Sequence, residues 1–271
     1  MLLHSVIFDL AGTTIDCGCM APVAVFVEIF RRRGVTVDVA TTRGPMGTHK
    51  REHLRRMCVE PGVYAAWVAA NGRPPTSDDV DAMYAEAEPL QIACLPDHAD
   101  VIPGFLAVAE LLRARGYRLG ATTGYTAPMV EVLRPLMARN GWSPDVLLSS
   151  SEVPAGRPAP YMNQVAAMRL GAPDVAQVVV VGDTVVDIQA ARNTGMWAIG
   201  VTLTGNEVGL GWEALQALPI PERAVLARRA GVTLLDAGAH AVIDSVADLP
   251  HALSRLGRPK LAAFKRWQQP R

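Results

Sequence analysis

Short apolar segments that each stop at a polar turn, separated by helix-length stretches, are the feature that most limits how this chain can fold. Residues 3–8 read as a buried strand that ends at Asp9. Arg118–Thr122, Val146–Leu148, Val178–Val181, Ala198–Val201 and a short segment near Ala241–Ile243 repeat the pattern. Strands that alternate with helices and are apolar on both faces make a parallel doubly wound (Rossmann-like) sheet, an α/β fold. In such sheets chemistry gathers beyond the carboxyl ends of the strands, so the residues after each strand are the candidates.

The alternation is broken once. Residues 20–95 carry no convincing strand. A helix is predicted over 22–33, where Val23, Phe26, Val27 and Phe30 fall on one face, Pro22 suits the first turn and Gly34 follows the end. Val25 and Ile29 lie off that face, which allows a second contact surface. Further helices are predicted from Pro45 to about Met57, from Gly62 to Ala70, and onward from a Thr76 cap with Asp78 and Asp79 in its first turn. The organisation expected is a core of residues 1–19 and 100–271 with a helical cap, 20–99, inserted after the first strand. Residues 205–235 read as helical, with no role that the sequence assigns.

Composition excludes several classes. The formal net charge is +0 and there is no basic block, which argues against nucleic acid or an anionic membrane as partner. No apolar run approaches the roughly 18–20 residues of a membrane span. No secretory signal pattern opens the chain, and Cys17, Cys19, Cys58 and Cys94 show neither Cys-x-x-Cys nor zinc spacing. These point to reduced thiols and a cytoplasmic enzyme.

The strand ends carry the chemistry. Asp9 opens Asp9-Leu10-Ala11-Gly12-Thr13-Thr14, and a carboxylate there can be a nucleophile, a metal ligand or both. Thr122-Thr123-Gly124 offers a hydroxyl and N–H groups to a phosphate oxygen. Arg157, in a Gly-Arg-Pro loop, can neutralise charge on a phosphoryl group. Asp183 and Asp187 are four apart, so both face one site if a helix starts between them. Each residue alone has a plain alternative: a cap, a turn, a solvated charge. Together, each after a strand, they are hard to attribute to capping.

Lysine is the other anomaly. Lys and Arg together number 26, yet Lys stands only at 50, 260 and 265. Lys50 is alone in Pro45-Met46-Gly47-Thr48-His49-Lys50-Arg51-Glu52-His53, away from the tail. An amine that loses its proton can form a Schiff base, and a guanidinium cannot. The alternative is an ordinary surface lysine on a helix.

The Asp9 segment resembles the first motif of the haloacid dehalogenase-like hydrolases, which transfer phosphoryl groups through an Asp nucleophile. Most phosphatases of that superfamily carry a second Asp as general acid/base; here the position is Ala11. Within it, Phe8–Thr14, Pro45-Met46-Gly47 through Lys50 and His53, Thr122-Thr123-Gly124-Tyr125-Thr126, Val153–Pro158 and Val181-Gly182-Asp183-Thr184 are similar to the phosphonoacetaldehyde hydrolase family over nearly the whole chain. Cys17 departs from the aromatic residue common there. The resemblance implies hydrolysis of a P–C bond through a Lys50 Schiff base and an Asp9 aspartyl phosphate. It also implies Mg²⁺ held by Asp9, Asp183 and the Ala11 carbonyl with Asp187 as an orienting neighbour, and a homodimer formed through the cap. Met46 is expected beside the amine, with Gly47, Thr123, Gly124, Tyr125 and Arg157 around the substrate. His53 is either a proton shuttle or a satisfied polar residue; Cys19 either lines the pocket or is a small buried hydrophobe. Another hydrolase of the superfamily, a phosphatase or dehalogenase, and a non-catalytic binding protein on the same fold stay open at this point.

Overall fold

The structure, a computed structural model, describes residues 3–256. The lysines at 260 and 265 and the end of the expected core lie outside the described residues. The apolar segments become β1 (Ser5–Phe8), β2 (Arg118–Thr123), β3 (Val146–Ser149), β4 (Val178–Gly182), β5 (Trp197–Val201) and β6 (Ala241–Ile243). They form one six-stranded sheet, order β3-β2-β1-β4-β5-β6, with every neighbouring pair parallel. β1 and β4 are buried along their whole length because helices cover both faces. One face packs Phe8, Phe105 and Trp142; the other packs Ile7, Val178, Val180 and Ile188.

Register does the positioning. Phe8 pairs with Ala121 on one side and Val181 on the other. Asp9, the next residue, therefore sits level with Thr122 and Gly182. The strand order reverses between β1 and β4, and that crevice is where an open α/β sheet admits a ligand.

Among the described residues the first five α-helices after β1 are α1 (Met20–Arg31), α2 (Val39–Arg43), α3 (Lys50–Val59), α4 (Pro61–Asn71) and α5 (Ser77–Cys94). They share a core of their own, including Phe26, Phe30, Leu54, Met57, Trp67 and Met83. α1 has two working sides. Val23 packs with Cys19 and Met46 toward the sheet, while Phe26, Ile29 and Phe30 face the helical core. Val25 and Ile29 are buried in that core, so they supply no second surface on α1. The connections on either side of the helices are tied together. Ile15 bridges Val101, the Asp16 N–H donates to the Asp100 carbonyl, and the Ile102 N–H donates to the Thr14 carbonyl.

The remaining helices are α6 (Phe105–Ala114), α7 (Ala127–Arg139), α8 (Tyr161–Arg169), α9 (Val185–Thr194), α10 (Trp212–Ala217), α11 (Ile220–Asp236) and α12 (Leu249–Leu256). Three expectations change. The helix expected from Pro45 begins at Lys50, since Gly47 has φ +82°, outside helical space. Residues 205–211 are loop. Thr126 precedes α7 without capping it; its hydroxyl donates instead to Glu88 of α5, 2.5 Å away.

Candidate active site

Asp9 ends β1 as the chain turns sharply: the N–H groups of Thr13, Thr14 and Ile15 all donate to the Leu10 carbonyl. Its carboxylate accepts from Arg157 Nη1 at 2.5 Å. The same guanidinium reaches Asp187 Oδ1 at 2.5 Å, and its other nitrogen donates to the Thr122 carbonyl and hydroxyl at 2.7 Å. Arg157 is 4 % exposed, so its charge is desolvated and matched by these partners.

Asp183 follows β4, and Thr184 caps α9 in a reciprocal box with Asp187. That cap turns Asp187 inward, as the spacing of four predicts. Oxygen atoms of Asp9, Asp183 and Asp187 lie within 4.8 Å of one another, all buried. Burial, and then the neighbouring carboxylates, push both Asp9 and Asp183 above the usual carboxylate range, although Arg157 pulls Asp9 back. Three crowded carboxylates against one guanidinium leave negative charge unmatched. An all-oxygen donor set of this kind fits a hard divalent cation. Asp183 is already oriented: Oδ1 accepts from the Thr13 hydroxyl at 2.9 Å, and Oδ2 accepts from the Asn206 N–H at 2.8 Å and the Cys19 thiol at 3.3 Å.

Lys50 arrives from the helical block. His49 precedes it as the α3 cap, its ring nitrogen accepting from the Arg51 N–H at 3.3 Å. The Lys50 side chain is 4 % exposed, its Nζ 4.8 Å from the Tyr125 ring centroid and 5.8 Å from that of Phe26. Among the described residues it has no ion-pair partner. Burial lowers its pKa from 10.5 to about 8, against the attraction of Asp9 and Asp16. The amine thus reaches neutrality far more readily than a surface lysine does.

A narrow pocket joins the two halves. It is lined by Asp9 and Ala11 from the first turn, Met46, Gly47 and Lys50 from the helical block, and Thr123 to Tyr125 at the end of β2, with Cys19, Pro22 and Thr184 completing it. Gly47 makes the tightest approach. A Cβ there would collide with Thr184 Oγ1, and its φ of +82° is one that residues with a side chain rarely adopt.

A family model for haloacid dehalogenase-like hydrolases matches residues 3–195. The chain is 48% identical over 246 residues to a phosphonoacetaldehyde hydrolase of Nitratidesulfovibrio vulgaris Miyazaki F, covering 91% of this chain and 88% of that one. It belongs to the phosphonoacetaldehyde hydrolase branch of the haloacid dehalogenase-like hydrolases. A Bacillus cereus phosphonoacetaldehyde hydrolase is 38% identical over 96% of this chain and 99% of its own. The crystal structure of a phosphonoacetaldehyde hydrolase-like protein from Oleispira antarctica superposes with a TM-score of 0.92 at 37% identity, covering 94% and 92% of the two chains.

In this haloacid dehalogenase-like hydrolase the sequence-predicted residues fall into two groups. Asp9, Ala11, Cys19, Met46, Gly47, Lys50, Thr123, Gly124 and Tyr125 meet at the pocket. Asp183 and Asp187 stand behind Asp9. Arg157 does not line this pocket; it faces a broader cleft between His49, Glu52 and Arg56 of α3 and the loop of residues 150–159. His53 also stands apart, 0 % exposed. Its ring stacks on Phe26 at 4.0 Å, Nε2 donates to the Thr42 carbonyl at 2.9 Å, and Nδ1 is buried without a partner. Burial and Lys50 together hold it well below its usual pKa, so it is neutral.

Sequence reasoning missed Asp16, Thr13, Thr184 and Asn206. Asp16 is buried at φ +50°, accepts from the Met20 and Ala21 N–H groups at the start of α1, and pairs with His98 at 3.3 Å. An Asp four residues before a helical run was a readable cap signal. Asn206 carried none, because its partners are distant in the chain.

Proposed function

We infer that this chain hydrolyses the P–C bond of phosphonoacetaldehyde to acetaldehyde and phosphate. It is a hydrolase acting on a small phosphonate. One observation carries the chemistry: a buried amine, Lys50, and a buried carboxylate, Asp9, share a pocket whose position 11 is alanine. Breaking a P–C bond would expel a carbanion, which needs an electron sink rather than a proton from a second Asp. Neutral Lys50 condenses with the aldehyde, taking up a proton and releasing water to give an iminium. Asp9 attacks phosphorus; the P–C bond breaks, its electron pair forms an enamine on Lys50, and Asp9 becomes an aspartyl phosphate. Protonation and hydrolysis of the enamine release acetaldehyde and the amine. Water then cleaves the aspartyl phosphate to phosphate and Asp9, so one water is consumed overall.

The residues around the pair support this reading. Thr123 and the N–H groups near Gly124 hold phosphoryl oxygens, and Tyr125 and Met46 flank the amine. His53, one turn beyond Lys50 with an open Nδ1 and held toward its neutral form, is in this reading a relay that passes a proton on during imine formation rather than keeping it. Arg157 holds Asp9 in place and meets charge on the phosphoryl group. Asp9, Asp183 and the Ala11 carbonyl are the groups that would hold Mg²⁺, with Asp187 and Cys19 orienting them; when bound, Mg²⁺ neutralises phosphoryl oxygens during displacement. The cap of residues 20–99 closes over a core of 1–19 and 100–271 to exclude water. Free cysteines at 17, 19, 58 and 94 agree with a cytoplasmic location, and no described helix is long and apolar enough to cross a membrane. The family likeness favours a homodimer through the cap, and the balanced charge disfavours nucleic acid.

The test is acetaldehyde release from phosphonoacetaldehyde with Mg²⁺, for the native chain beside Lys50→Arg. Release that disappears in the variant supports the reading. No release from folded native protein ends it and turns attention to phosphate esters and haloacids.

A further inference from the structure

The stretch that the sequence left without a role begins with a loop, residues 204–210, that touches both halves of the molecule. Thr204 donates its hydroxyl to the Gly12 carbonyl at 2.9 Å, and its own carbonyl accepts from the Gly18 N–H at 2.7 Å. Asn206 is 5 % exposed and lies between two partners. Its N–H donates to Asp183 Oδ2, and its Nδ2 donates to the Arg43 carbonyl at 3.2 Å.

Arg43 ends α2 in the helical block. Its Nη1 donates to the Gly18 carbonyl at 2.6 Å and to Asn206 Oδ1 at 3.3 Å, and its Nη2 donates to the Gly209 carbonyl at 3.1 Å. The guanidinium is wedged so closely over the loop that a Cβ on Gly209 would come within 2.7 Å of Arg43 Cζ. One side chain thus binds the loop and the connection to α1 at once, and Asn206 returns a hydrogen bond to it. Only a planar fork with several donors spans these acceptors; an ammonium cannot.

We propose that Arg43 and Asn206 form a latch that couples the seating of the helical block on the sheet to the orientation of the Asp183 carboxylate. With the block seated, Arg43 fixes Asn206 from two sides, and the Asn206 N–H holds Asp183 Oδ2 toward Asp9. With the block lifted, Asn206 loses both of its hydrogen bonds to Arg43, the loop is free to turn, and Asp183 keeps only Thr13 and Cys19. Lys50 enters the pocket by that same seating, so amine and carboxylate cluster become competent together. Arg43 is a positioning residue, since it touches neither Asp9 nor Asp183. The inference rests on the reading that Asp183 helps hold a divalent cation.

The test measures binding of Mg²⁺ alone, by calorimetry on the full chain. Native protein is compared with Arg43→Gln, Asn206→Ala, their double variant, and Arg55→Gln, which removes an exposed pair with Glu52. Circular dichroism confirms folding, and Arg43→Lys stands in should Arg43→Gln not fold. Each latch variant is expected to bind Mg²⁺ about 10-fold more weakly, the scale on which partners of a ligating carboxylate act. The double variant should be no worse than the weaker single, and Arg55→Gln should match native. Native-like Mg²⁺ affinity in both single variants, or additive losses in the double, overturns the latch even where turnover falls. A native chain that binds no Mg²⁺ ends the metal reading instead. Hydrogen exchange of metal-free protein then decides the latch: faster exchange over 204–210 in Arg43→Gln supports it, and unchanged exchange overturns it.

Discussion

Replacing Lys50 by Met is expected to abolish turnover and yet make the protein more stable at neutral pH. Burial lowers the amine's pKa from 10.5 to about 8, so below about pH 8 the native state carries the full penalty of a desolvated charge. At roughly 1.4 kcal/mol per pH unit, that drop corresponds to about 3 kcal/mol. The Tyr125 and Phe26 rings near Nζ give back on the order of 1 kcal/mol by cation–π attraction, which Met lacks. A net gain of about 2 kcal/mol remains for Met, whose chain fills the same buried slot. The pH sign follows from proton counting. Between about 8 and 10.5 the unfolded chain binds more protons at this site than the native one, so native stability rises with pH across that window. The advantage of Lys50→Met therefore shrinks as pH rises and is nearly gone above about 10.5. Urea unfolding of both proteins, with chelator present to remove metal linkage, measures this at about pH 7 and again at about pH 10. Equal or lower stability of the variant near neutrality would refute the argument. So would an advantage independent of pH, since either means the amine is not held toward its neutral form.

Activity is expected to follow the same group: kcat/KM should rise with pH and level near about 8, with roughly a tenth of the amine neutral at about pH 7; a profile with no ionisation in that range counts against Lys50 as the imine former. Borohydride added during turnover should inactivate native protein and leave an ethyl group on the Lys50 peptide by mass spectrometry, and Lys50→Arg should stay unmodified. Asp9→Asn is expected to lower kcat on the order of 10⁴-fold or more while thermal unfolding stays at or above native, because one of three crowded buried carboxylates is gone; a large loss of stability would mean that Asp9 holds the fold together. Gly47→Ala should cost about 1–3 kcal/mol in urea unfolding and depress turnover, since it strains a left-handed residue and drives a methyl group into Thr184; a neutral result would show that the two halves do not close this tightly.

The parts of the molecule that sequence could reveal are those set by local pattern. Asp9, Thr123 and Asp183 were legible because a strand period ends and a turn begins at each. Asp187 followed from the spacing of four. Lys50 stood out through the chain's preference for arginine. What stayed hidden depends on contacts between distant segments. The start of α3 moved from Pro45 to Lys50 because Gly47 adopts a left-handed conformation to clear Thr184, which no periodicity records. The Thr126 hydroxyl abandons its own helix because Glu88 of α5 lies within reach. Val25 and Ile29 appeared off-face on a lone helix and are buried because α1 is covered on two sides. Asn206 and Arg43 are unremarkable in sequence, and their meaning lies in a contact across a sequence separation of 163.

The separation of amine and carboxylate between two parts of the chain has a physical logic. A desolvated ammonium and three desolvated carboxylates are each costly to bury, and assembling them permanently in one rigid core would weigh on stability. Here they stand on opposite walls, Lys50 on the helical block and the carboxylates on the sheet. Contacts at Gly47, Thr126 and Arg43 bring the walls together. With the block seated, Lys50 is buried, which lowers its pKa, and it lies over Tyr125 in the pocket it shares with Asp9. In the proposed mechanism the same burial that makes Lys50 nucleophilic shields its iminium from water. An alanine at position 11 belongs to the same logic. In the proposed mechanism the electrons of the broken bond pass to nitrogen, and a second acid next to Asp9 would add a fourth carboxylate to a cluster that already exceeds its counter-charge.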